Sequence, residues 1–372
     1  MAVATVPEKN YGAALLAEFS FRRKRWSGRP RPLATLYFGG GTPSLFSPSF
    51  FSDVIEFFAR EPGFTARPEI TLEANPADIQ PDKVSGYRAA GINRISLGAQ
   101  TFNAEGLKLL GRRHDAAAVS RAVSIVRQVG IVNLSLDLIY AWPGQKLADL
   151  NSDLQHLNLL APEHLSAYTL SFEPGCALTK AVAAGEIVPV GEDLQLEMMD
   201  LLEDKLDKNG LCRYEVSNFS RGPDLKSRHN LAYWQLKDFI GLGAGACGSR
   251  RCRQSHAYWA ERYVNTPDPA LYMQQLSCPK LKLSSSTSWF TEEIINRDDS
   301  FSEALMMGLR LRSGVDLDLF AHEYGSDKVA EVVSRARLLG REGMVELTGS
   351  RLRITDRGLH LTDAVTCNLL MM

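Results

Sequence analysis

Short β-rich runs alternate with longer amphipathic segments along the first two thirds of the chain, and this alternation limits the folds open to it. The predicted strands are Leu33–Phe38, Glu69–Leu72, Arg94–Leu97, Asn133–Ile139 and His164–Leu170, with weaker ones at Cys212–Val216 and Phe239–Leu242. The predicted helices, in which apolar residues recur at helical spacing, are Ser49–Arg60, Asp82–Ala90, Ala116–Val129, Leu147–Leu160 and Asp193–Lys208. Repeated βα units of this kind predict an α/β fold.

Polar groups lie at or near the ends of these strands. Spacings of roughly 25 to 45 residues fit parallel strands joined by crossover helices, whose functional groups gather at the carboxyl ends. The groups are Gly39–Thr42, Glu73, Gln100, Asp137 and Tyr168-Thr169. Turn chemistry alone would explain the glycines but not Glu73, Gln100 and Asp137, because a carboxylate inside an apolar strand must be paired or bind something. The sequence therefore predicts a shared ligand site on one face of a barrel.

The last quarter of the chain predicts a small second domain. A serine-rich stretch, Ser277–Ser288, is typical of a linker. The predicted elements beyond it are helices at Ser302–Leu311 and Asp327–Arg341, strands at Met344–Leu347 and Arg351–Ile354, and a last helix opening near Thr355. This order is typical of a winged-helix-like domain. The predicted boundaries are 1–276 for the barrel, 277–295 for the linker and 296–372 for the small domain.

Two glycine-rich runs look like nucleotide-binding motifs and need to be distinguished from them. Tyr37–Pro43 brings three glycines to a strand end, where bare backbone can approach a ligand closely. It lacks the Gly-Lys-Ser/Thr sequence and the following helix of a phosphate loop. Gly241–Ala246 satisfies the dinucleotide fingerprint in form, but no amphipathic helix follows it, and we reject a Rossmann interpretation. These glycines are expected to let the chain pass close to the barrel rim.

Cysteine and histidine residues give two weaker candidates. The six cysteines, at positions 176, 212, 247, 252, 278 and 367, are too dispersed for a secreted disulfide framework, and most are expected to be reduced, partly buried thiols. Cys247, Cys252 and His256 could ligate a metal, although the Cys-x4-Cys spacing among arginines favours structural thiols. His229–Trp234 places an imidazole beside two aromatic rings, which suits axial heme ligation, although a hydrogen-bonded histidine under packed rings is the commoner arrangement.

Charge and hydropathy exclude some classes of function. Lys and Arg number 42 against 43 Asp and Glu, so a formal net charge of −1 provides no field that would hold the molecule on nucleic acid or an anionic membrane. No run approaches the roughly 18 apolar residues of a membrane span, and the N-terminus has no apolar core after a basic start, which predicts a cytoplasmic protein. A basic cluster is expected to be a solvated helix end followed by a loop; it comprises Arg22, Arg23, Lys24, Arg25, Arg29 and Arg31.

Longer strings match a known family in the expected order. They are Gly39–Ser44, Leu72–Pro76, Gly91–Phe102, Leu110–Arg112 and Leu136–Tyr140. These strings resemble those of the radical S-adenosylmethionine branch that contains anaerobic coproporphyrinogen oxidase and the HemW-type heme chaperones. The resemblance extends from about Tyr11 to the C-terminus. The resemblance implies a partial (β/α) barrel followed by a HemN-like C-terminal domain.

The resemblance also implies ligand contacts. The family's S-adenosylmethionine contacts fall on Gly40, Gly41, Thr42, Glu73, Gln100, Arg112 and Asp137. The family's His-Asn-x-x-Tyr-Trp string, proposed there to hold heme, falls on His229, Asn230, Tyr233 and Trp234. The implied cofactors are S-adenosylmethionine, heme and a [4Fe-4S] cluster.

One departure from the family is large. The family places Cys-x3-Cys-x2-Cys on its first barrel strand, just upstream of a helix resembling Asn10–Phe19, where three thiolates hold the cluster. No cysteines of this sequence have that spacing, so no metal-ligating residue is predicted. Either the start codon is assigned too far downstream or the chain is a variant without the cluster, and the exposed barrel edge of such a variant favours the first. A smaller departure is Ala141–Gly144, where the family more often has Gly-Leu-Pro and a ligand-facing surface is expected to differ.

Three functions follow from the resemblance. The favoured one is a heme chaperone that binds heme and passes it to recipient hemoproteins, because the His-Asn-x-x-Tyr-Trp string and the short chain fit that branch. The alternatives are an oxygen-independent coproporphyrinogen III oxidase-like enzyme, whose branch carries a longer N-terminal extension, and a cluster-free scaffold protein. No nucleic-acid partner is expected, while the chaperone interpretation admits a homodimer and a peripheral membrane contact during heme delivery.

Overall fold

The computed structural model describes residues 7–26, 31–251, 259–277 and 289–370. Its helices are α1 (Glu8–Arg25), α2 (Pro48–Arg60), α3 (Pro81–Ala90), α4 (Ala104–Leu109), α5 (Ala116–Val129), α6 (Leu147–Leu160), α7 (Ala177–Ala183), α8 (Glu192–Lys208), α9 (Arg228–Trp234), α10 (Pro269–Leu276), α11 (Arg297–Gly308), α12 (Leu317–Tyr324), α13 (Ser326–Arg341), α14 (Asp356–Leu359) and α15 (Thr362–Leu370). Its strands are β1 (Leu33–Phe38), β2 (Phe64–Ala74), β3 (Arg94–Gln100), β4 (Asn133–Tyr140), β5 (His164–Thr169), β6 (Cys212–Arg213), β7 (Asn218–Ser220), β8 (Cys247–Arg251), β9 (Ala260–Asn265), β10 (Phe290–Ile295), β11 (Val315–Asp316), β12 (Val345–Thr348) and β13 (Arg351–Ile354).

A seven-stranded sheet carries the first two thirds of the chain, in the order β1-β2-β3-β4-β5-β7-β6. The strands β1 to β5 are parallel neighbours in sequence order, and β7 and β6 join in antiparallel orientation. Parallel neighbours in sequence order require a crossover between each pair, and the helices α2, α3, α5 and α6 supply them. The predicted parallel βα sheet is therefore confirmed, and the carboxyl ends of five strands meet along one edge.

Local chemistry explains why the crossover helices begin and end where the sequence predicts. The helix α5 starts after Asp115, whose carboxylate accepts a hydrogen bond from the backbone N–H of Ala118 at 2.7 Å. It stops at Gly130, which adopts a left-handed conformation with φ 89°. Between these caps, Val119, Val123 and Val126 are buried against the sheet. Caps and an apolar stripe at helical spacing thus define the same segment.

The helix α1 departs from the expectation for the basic cluster. Arg22 is fully buried and pairs with Glu18, also fully buried, at 3.2 Å, so the prediction of a solvated helix end is wrong at this residue. Arg23 does lie at the surface and pairs with Glu61. A run of charged residues in a sequence is usually expected to be exposed to water. Here a buried carboxylate and aromatic rings surround Arg22.

A second, antiparallel sheet of order β10-β9-β8 was not predicted. The strand β10 lies inside the segment 277–295 predicted as a linker and pairs with β9 from Phe290↔Asn265 to Ile295↔Ala260. Residues 278–288 of that segment lie outside the described ranges. The predicted strand at Phe239–Leu242 is reduced to one bridge, Phe239↔Ser249, next to β8. The strands β9 and β10 carry charged residues at consecutive positions, Glu261-Arg262 and Glu292-Glu293, so their sequences lack the apolar runs used to recognise strands.

The glycine run Gly241–Ala246 leads into β8 and not into a helix. A Cβ atom on Gly241 would lie 1.9 Å from the carbonyl oxygen of Cys247, and the backbone N–H of Gly243 donates to Glu18 at 3.0 Å. The run therefore packs backbone against backbone and against α1, as a close passage of the chain requires.

The C-terminal part has its own hydrophobic core, with Leu305, Leu309 and Leu352 fully buried. It contains α11 to α15 around an antiparallel sheet of order β11-β13-β12. The structure contains the predicted helices, as α11 and α13, and the predicted strand, turn and strand, as β12 and β13, but β11 and α12 lie between the two helices and were not predicted. No helix in the described ranges is long and apolar enough to cross a bilayer.

Candidate functional site

A cavity of about 200 Å³ opens at the carboxyl edge of the parallel strands. Its lining residues are Tyr37, Glu73, Arg94, Ser96, Gln100, Asp137, Ser166, Tyr168 and Asn230. The structure thus brings together four of the predicted strand-end residues, Glu73, Gln100, Asp137 and Tyr168. The cavity is smaller than a typical small-molecule pocket of roughly 300–1,000 Å³, so a larger ligand can place only one end in it.

The glycine loop after β1 is tied to the cavity through Glu73. One carboxylate oxygen accepts from the Tyr37 hydroxyl at 2.7 Å, and the other accepts from the backbone N–H of Gly40 at 3.1 Å. A Cβ atom at Gly39 would lie 2.5 Å from the Tyr37 ring, so this position needs glycine for close packing. Gly40 and Gly41 have φ of 81° and 68°, so they need glycine for backbone conformation, and the open space beside them leaves room for a ligand to approach the backbone.

Asp137 forms the centre of the cavity wall. The Ser96 hydroxyl donates to its carboxylate, with oxygen–oxygen distances of 3.0 and 3.2 Å. Burial raises the pKa of Asp137 to about 6, because the hydrogen bonds from Ser166 and Ser96 and the charge of Arg94 only partly offset the loss of water. The carboxylate is therefore poised to exchange a proton, or to take up a ligand's polar group, close to neutral pH.

Gln100 holds an unfavourable backbone conformation at the same edge. Its φ is 67°, in the left-handed region, and the pairing register with β4 shifts between Leu97 and Gln100. A non-glycine residue in this region stores strain, which the surrounding structure must maintain. The irregularity turns the end of β3 so that the Gln100 side chain lines the cavity.

Arg112 and Thr42 lie apart from these carboxylates. Arg112 is exposed and lines a second, more open cavity of about 570 Å³, together with Phe102, Lys108 and His114. Thr42 is half-buried at the start of a short 3₁₀ turn. The contact of both residues with S-adenosylmethionine stays a prediction, since neither lines the cavity that holds Glu73 and Asp137.

The segment Ala141–Gly144, expected to alter a ligand-facing surface, begins with two residues that pack inward. Ala141 and Trp142 are buried, and a Cβ atom at Gly106 would lie 2.8 Å from the Trp142 ring. At these two residues the departure from the family string concerns packing against α4, whereas Pro143 is half-buried and Gly144 is exposed, so a ligand-facing difference in this segment stays a prediction.

His229 stands beside the cavity at the start of α9. Its Nδ1 atom lies 3.2 Å from the Thr35 hydroxyl oxygen, and its ring stacks on Tyr37 with centroids 4.5 Å apart. Tyr233 meets the other side edge-on at 4.8 Å. Burial, with a smaller effect of the Arg94 charge, lowers the pKa of His229 to about 4, so the imidazole is neutral at physiological pH.

A buried carboxylate, that of Glu69, holds the first turn of α9 in place. Glu69 accepts hydrogen bonds from the backbone N–H groups of Arg228 and His229, both at 3.0 Å. The N-cap residue, Ser227, accepts from Asn230, and its own backbone N–H donates to the Tyr214 hydroxyl at 3.1 Å. Negative charge at a helix N-terminus is favourable, so α9 presents His229 in a defined position.

Trp234 does not share this face. The Arg310 guanidinium of α11 lies 5.9 Å from the centroid of its ring, and the buried carboxyl of Glu215 is a neighbour. The structure brings His229, Asn230 and Tyr233 to the cavity side and directs Trp234 toward the C-terminal part. A role of Trp234 in holding heme stays a prediction.

The four cysteines that the structure describes do not form a ligand set for an iron–sulfur cluster. Cys176, Cys212, Cys247 and Cys367 are exposed free thiols far apart along the chain, so the expectation of partly buried thiols is wrong for these four. Among the residues that the structure describes, no group of three or more His, Cys, Asp or Glu side chains is placed to hold a metal ion. The proposed partners of Cys247, namely Cys252 and His256, lie outside those residues. The described residues therefore do not fit the cluster.

Sequence reasoning missed three residues of the cavity, Arg94, Ser96 and Ser166. All three lie inside strands, and each is buried. A signal was available, since Arg94 and Ser96 alternate with Ile95 and Leu97 and so share the face of the strand opposite to the apolar residues.

Comparison with known proteins agrees with this geometry. Residues 22–157 match the Radical SAM superfamily model, and residues 295–361 match the HemN C-terminal domain model. A parallel βα sheet with a polar cavity at its carboxyl edge and this C-terminal domain defines the class, the radical S-adenosylmethionine proteins.

Relatives narrow the class. The heme chaperone HemW of Lactococcus lactis subsp. lactis is 33% identical over 89% of this chain and 81% of its own length. The heme chaperone HemW of Bacillus subtilis is 30% identical over 91% of this chain and 86% of its own length. The chain therefore belongs to the HemW family of radical S-adenosylmethionine proteins. The coproporphyrinogen III oxidase HemN of Escherichia coli, a radical SAM enzyme, is 21% identical and covers 97% of this chain and 83% of its own with a TM-score of 0.76, which confirms the partial-barrel fold.

Proposed function

We propose that this chain is a heme chaperone that binds heme at His229 and S-adenosylmethionine in the strand-end cavity, and that it passes heme to recipient hemoproteins. The observation that carries the proposal is the neutral imidazole of His229, which α9 holds against Tyr37 beside the cavity. Two relatives of this chain that are named heme chaperones, at 33% and 30% identity, support the same function.

His229 has the properties of an axial ligand to heme iron. A metal-ligating imidazole must be neutral, and a hydrogen bond to its second nitrogen usually fixes its orientation. Burial keeps the His229 ring neutral, and Thr35 contacts Nδ1. Within the described ranges, Nε2 makes no hydrogen bond, so it is the nitrogen we assign to iron. Tyr233, edge-on to the same ring, would pack beside the macrocycle.

The cavity has the properties of a site for part of S-adenosylmethionine. This ligand would supply a sulfonium cation, an amino-acid group and a ribose with two hydroxyls. The carboxylates of Glu73 and Asp137 can accept hydrogen bonds from hydroxyl or ammonium groups. The N–H of Gly40 is bonded to Glu73, and the space beside Gly40 and Gly41 leaves room for a polar edge of the ligand to approach the loop. Gln100, held in place by its strained backbone, adds an amide beside them. The bound ligand would then regulate heme transfer.

The remaining partners and the location are part of the same proposal. We expect recipient hemoproteins to dock where heme is exposed, and we expect the chain to act in the cytoplasm. A homodimer and a peripheral membrane contact during delivery stay predictions from the family resemblance.

Replacing His229 by alanine is expected to weaken hemin binding by about tenfold or more, because a ligand to iron and the ring packed on Tyr37 are both lost. Hemin titrations followed by the Soret absorption band would measure this. His322→Ala provides the matched control, since His322 is exposed on α12. Equal affinity and equal spectra for the wild type and the His229 variant would refute heme ligation by this residue.

A further inference from the structure

Arg94 occupies the floor of the strand-end cavity. It is the first residue of β3 and pairs in register with Thr71 on one side and Asn133 on the other. Glu73 pairs with Ser96, two residues further along the strands, so Arg94 begins about 6–7 Å deeper than the carboxylate rim. Arg94 is only 2% exposed, yet it lines the cavity.

The guanidinium of Arg94 has no hydrogen-bond or ion-pair partner in the described part of the chain, although its charge acts on Asp137 from a distance. It donates no hydrogen bond there and forms no ion pair, and its Nε atom is buried without any acceptor. The surrounding acids are engaged elsewhere: Glu69 binds the first turn of α9, Glu73 binds Tyr37 and Gly40, and Asp137 binds Ser96. A buried charge without a hydrogen-bonded counterpart is costly, so a protein retains one where a ligand completes it.

The same level of the sheet holds two further unsatisfied atoms. The Thr71 hydroxyl oxygen and the Asn133 side-chain oxygen are buried and make no hydrogen bond, and both residues pair in register with Arg94. Because register partners in parallel strands point to the same face, three neighbouring strands present open polar atoms at one depth. This row points to a polar occupant below the carboxylate rim.

We propose that Arg94 binds a carboxylate at the inner end of the ligand that enters this cavity. The inference deepens the function proposed above, since it assigns the anionic group of that ligand. An arginine fork matches a carboxylate in charge and shape. The cavity of about 200 Å³ accepts only one end of a large molecule, and a carboxylate terminates both candidates. These are a propionate of heme and the amino-acid carboxylate of S-adenosylmethionine.

Two pairs of probes test this proposal on the full chain. One pair is hemin and its dimethyl ester, and the other is S-adenosylmethionine and its decarboxylated analogue. The wild type is expected to bind the carboxylate-bearing member of one pair about tenfold or more tightly than its analogue, because a hydrogen bond to a charged group is lost in the analogue. Arg94→Gln should reduce that preference to about twofold or less, while Arg94→Lys should keep part of it. Absorption titration and equilibrium dialysis give the affinities.

Each outcome decides a separate point. A preference confined to the hemin pair identifies a propionate, and one confined to the other pair identifies the amino-acid group. Binding of both members of both pairs without any preference in the wild type overturns the role of Arg94 while leaving the proposed function standing, and this comparison does not depend on the variants folding. An unchanged preference in Arg94→Gln also overturns it. Failure of the wild type to bind hemin or S-adenosylmethionine overturns the proposed function together with this assignment.

Discussion

Replacing Arg22 by alanine is expected to reduce the free energy of unfolding by about 3–5 kcal/mol, the range found when one partner of a buried ion pair is removed. Arg22 and Glu18 are both fully buried, 3.2 Å apart on successive turns of α1. The variant would leave the Glu18 carboxylate buried without its cation. Urea unfolding followed by circular dichroism measures the loss.

The Arg22 side chain also joins α1 to the second sheet. Its guanidinium lies 3.3 Å from the centroid of the Tyr263 ring and 4.2 Å from that of Phe290, and it donates to the Asn265 side chain at 2.8 Å. Cation–π contacts are stronger when water is excluded, as it is here. The alanine variant is therefore expected to loosen the contact between α1 and the strands β9 and β10 as well.

Arg60→Ala is the matched control for this prediction. Arg60 and Glu56 form an ion pair with the same four-residue spacing on α2, at the same distance of 3.2 Å, but both side chains are largely exposed. Exposed pairs of this kind contribute about 0.3–0.5 kcal/mol, so the control should hardly change stability. Similar losses for the two variants would contradict the importance of burial and of the aromatic surroundings.

The parallel sheet and its helices could be predicted because local signals agree with the fold. The bounds of α5 and α6 were predicted to the residue, since an apolar stripe and end signals coincide in both. The second sheet could not be predicted in the same way. Its strands β9 and β10 pair across residues 278–288, and their exposed positions carry charged residues such as Glu292 and Glu293. Their pairing is fixed by partners distant in sequence, which periodicity does not reveal.

The candidate site could be predicted only in part, because only some of its residues carry a local signal in the sequence. Glu73, Gln100 and Asp137 stood out because polar residues at the ends of apolar strands must converge in a parallel sheet. The positions of Arg112 and Trp234 depend on tertiary contacts. Arg112 lines a separate cavity, and Trp234 lies toward α11. Arg94 was missed because its importance rests on the absence of a hydrogen-bond partner, and only the structure shows which side chains have such a partner.

Replacing Asp137 by asparagine is expected to stabilise the protein at pH 8 by up to about 3 kcal/mol and to weaken S-adenosylmethionine binding by about tenfold. Burial raises the pKa of Asp137 from its usual value of 3.8 to about 6 in the folded chain. Between these values the folded state holds a proton that the unfolded state has released. Stability due to Asp137 is therefore present near pH 4, falls as the pH rises to 6 and stays low above it.

Asparagine is neutral throughout this range and avoids that loss, so the stability gain of the variant should be large at pH 8 and small at pH 4. Urea unfolding at the two pH values and equilibrium dialysis with S-adenosylmethionine measure the two effects. The opposite signs follow from one cause, because a carboxylate kept in a dry cavity costs folding energy and is retained where a ligand uses its charge.

Glu215→Gln separates the two effects. Glu215 is also fully buried, and burial raises its pKa to about 7, but it does not line the cavity. Its replacement should stabilise the protein at pH 8 in the same way and leave S-adenosylmethionine binding unchanged. An Asp137→Asn variant that gains stability and keeps its affinity would show that the ligand does not use this carboxylate. A variant that gains no stability at pH 8 would show that the buried carboxylate carries no folding cost, which would remove the reason for expecting a ligand there.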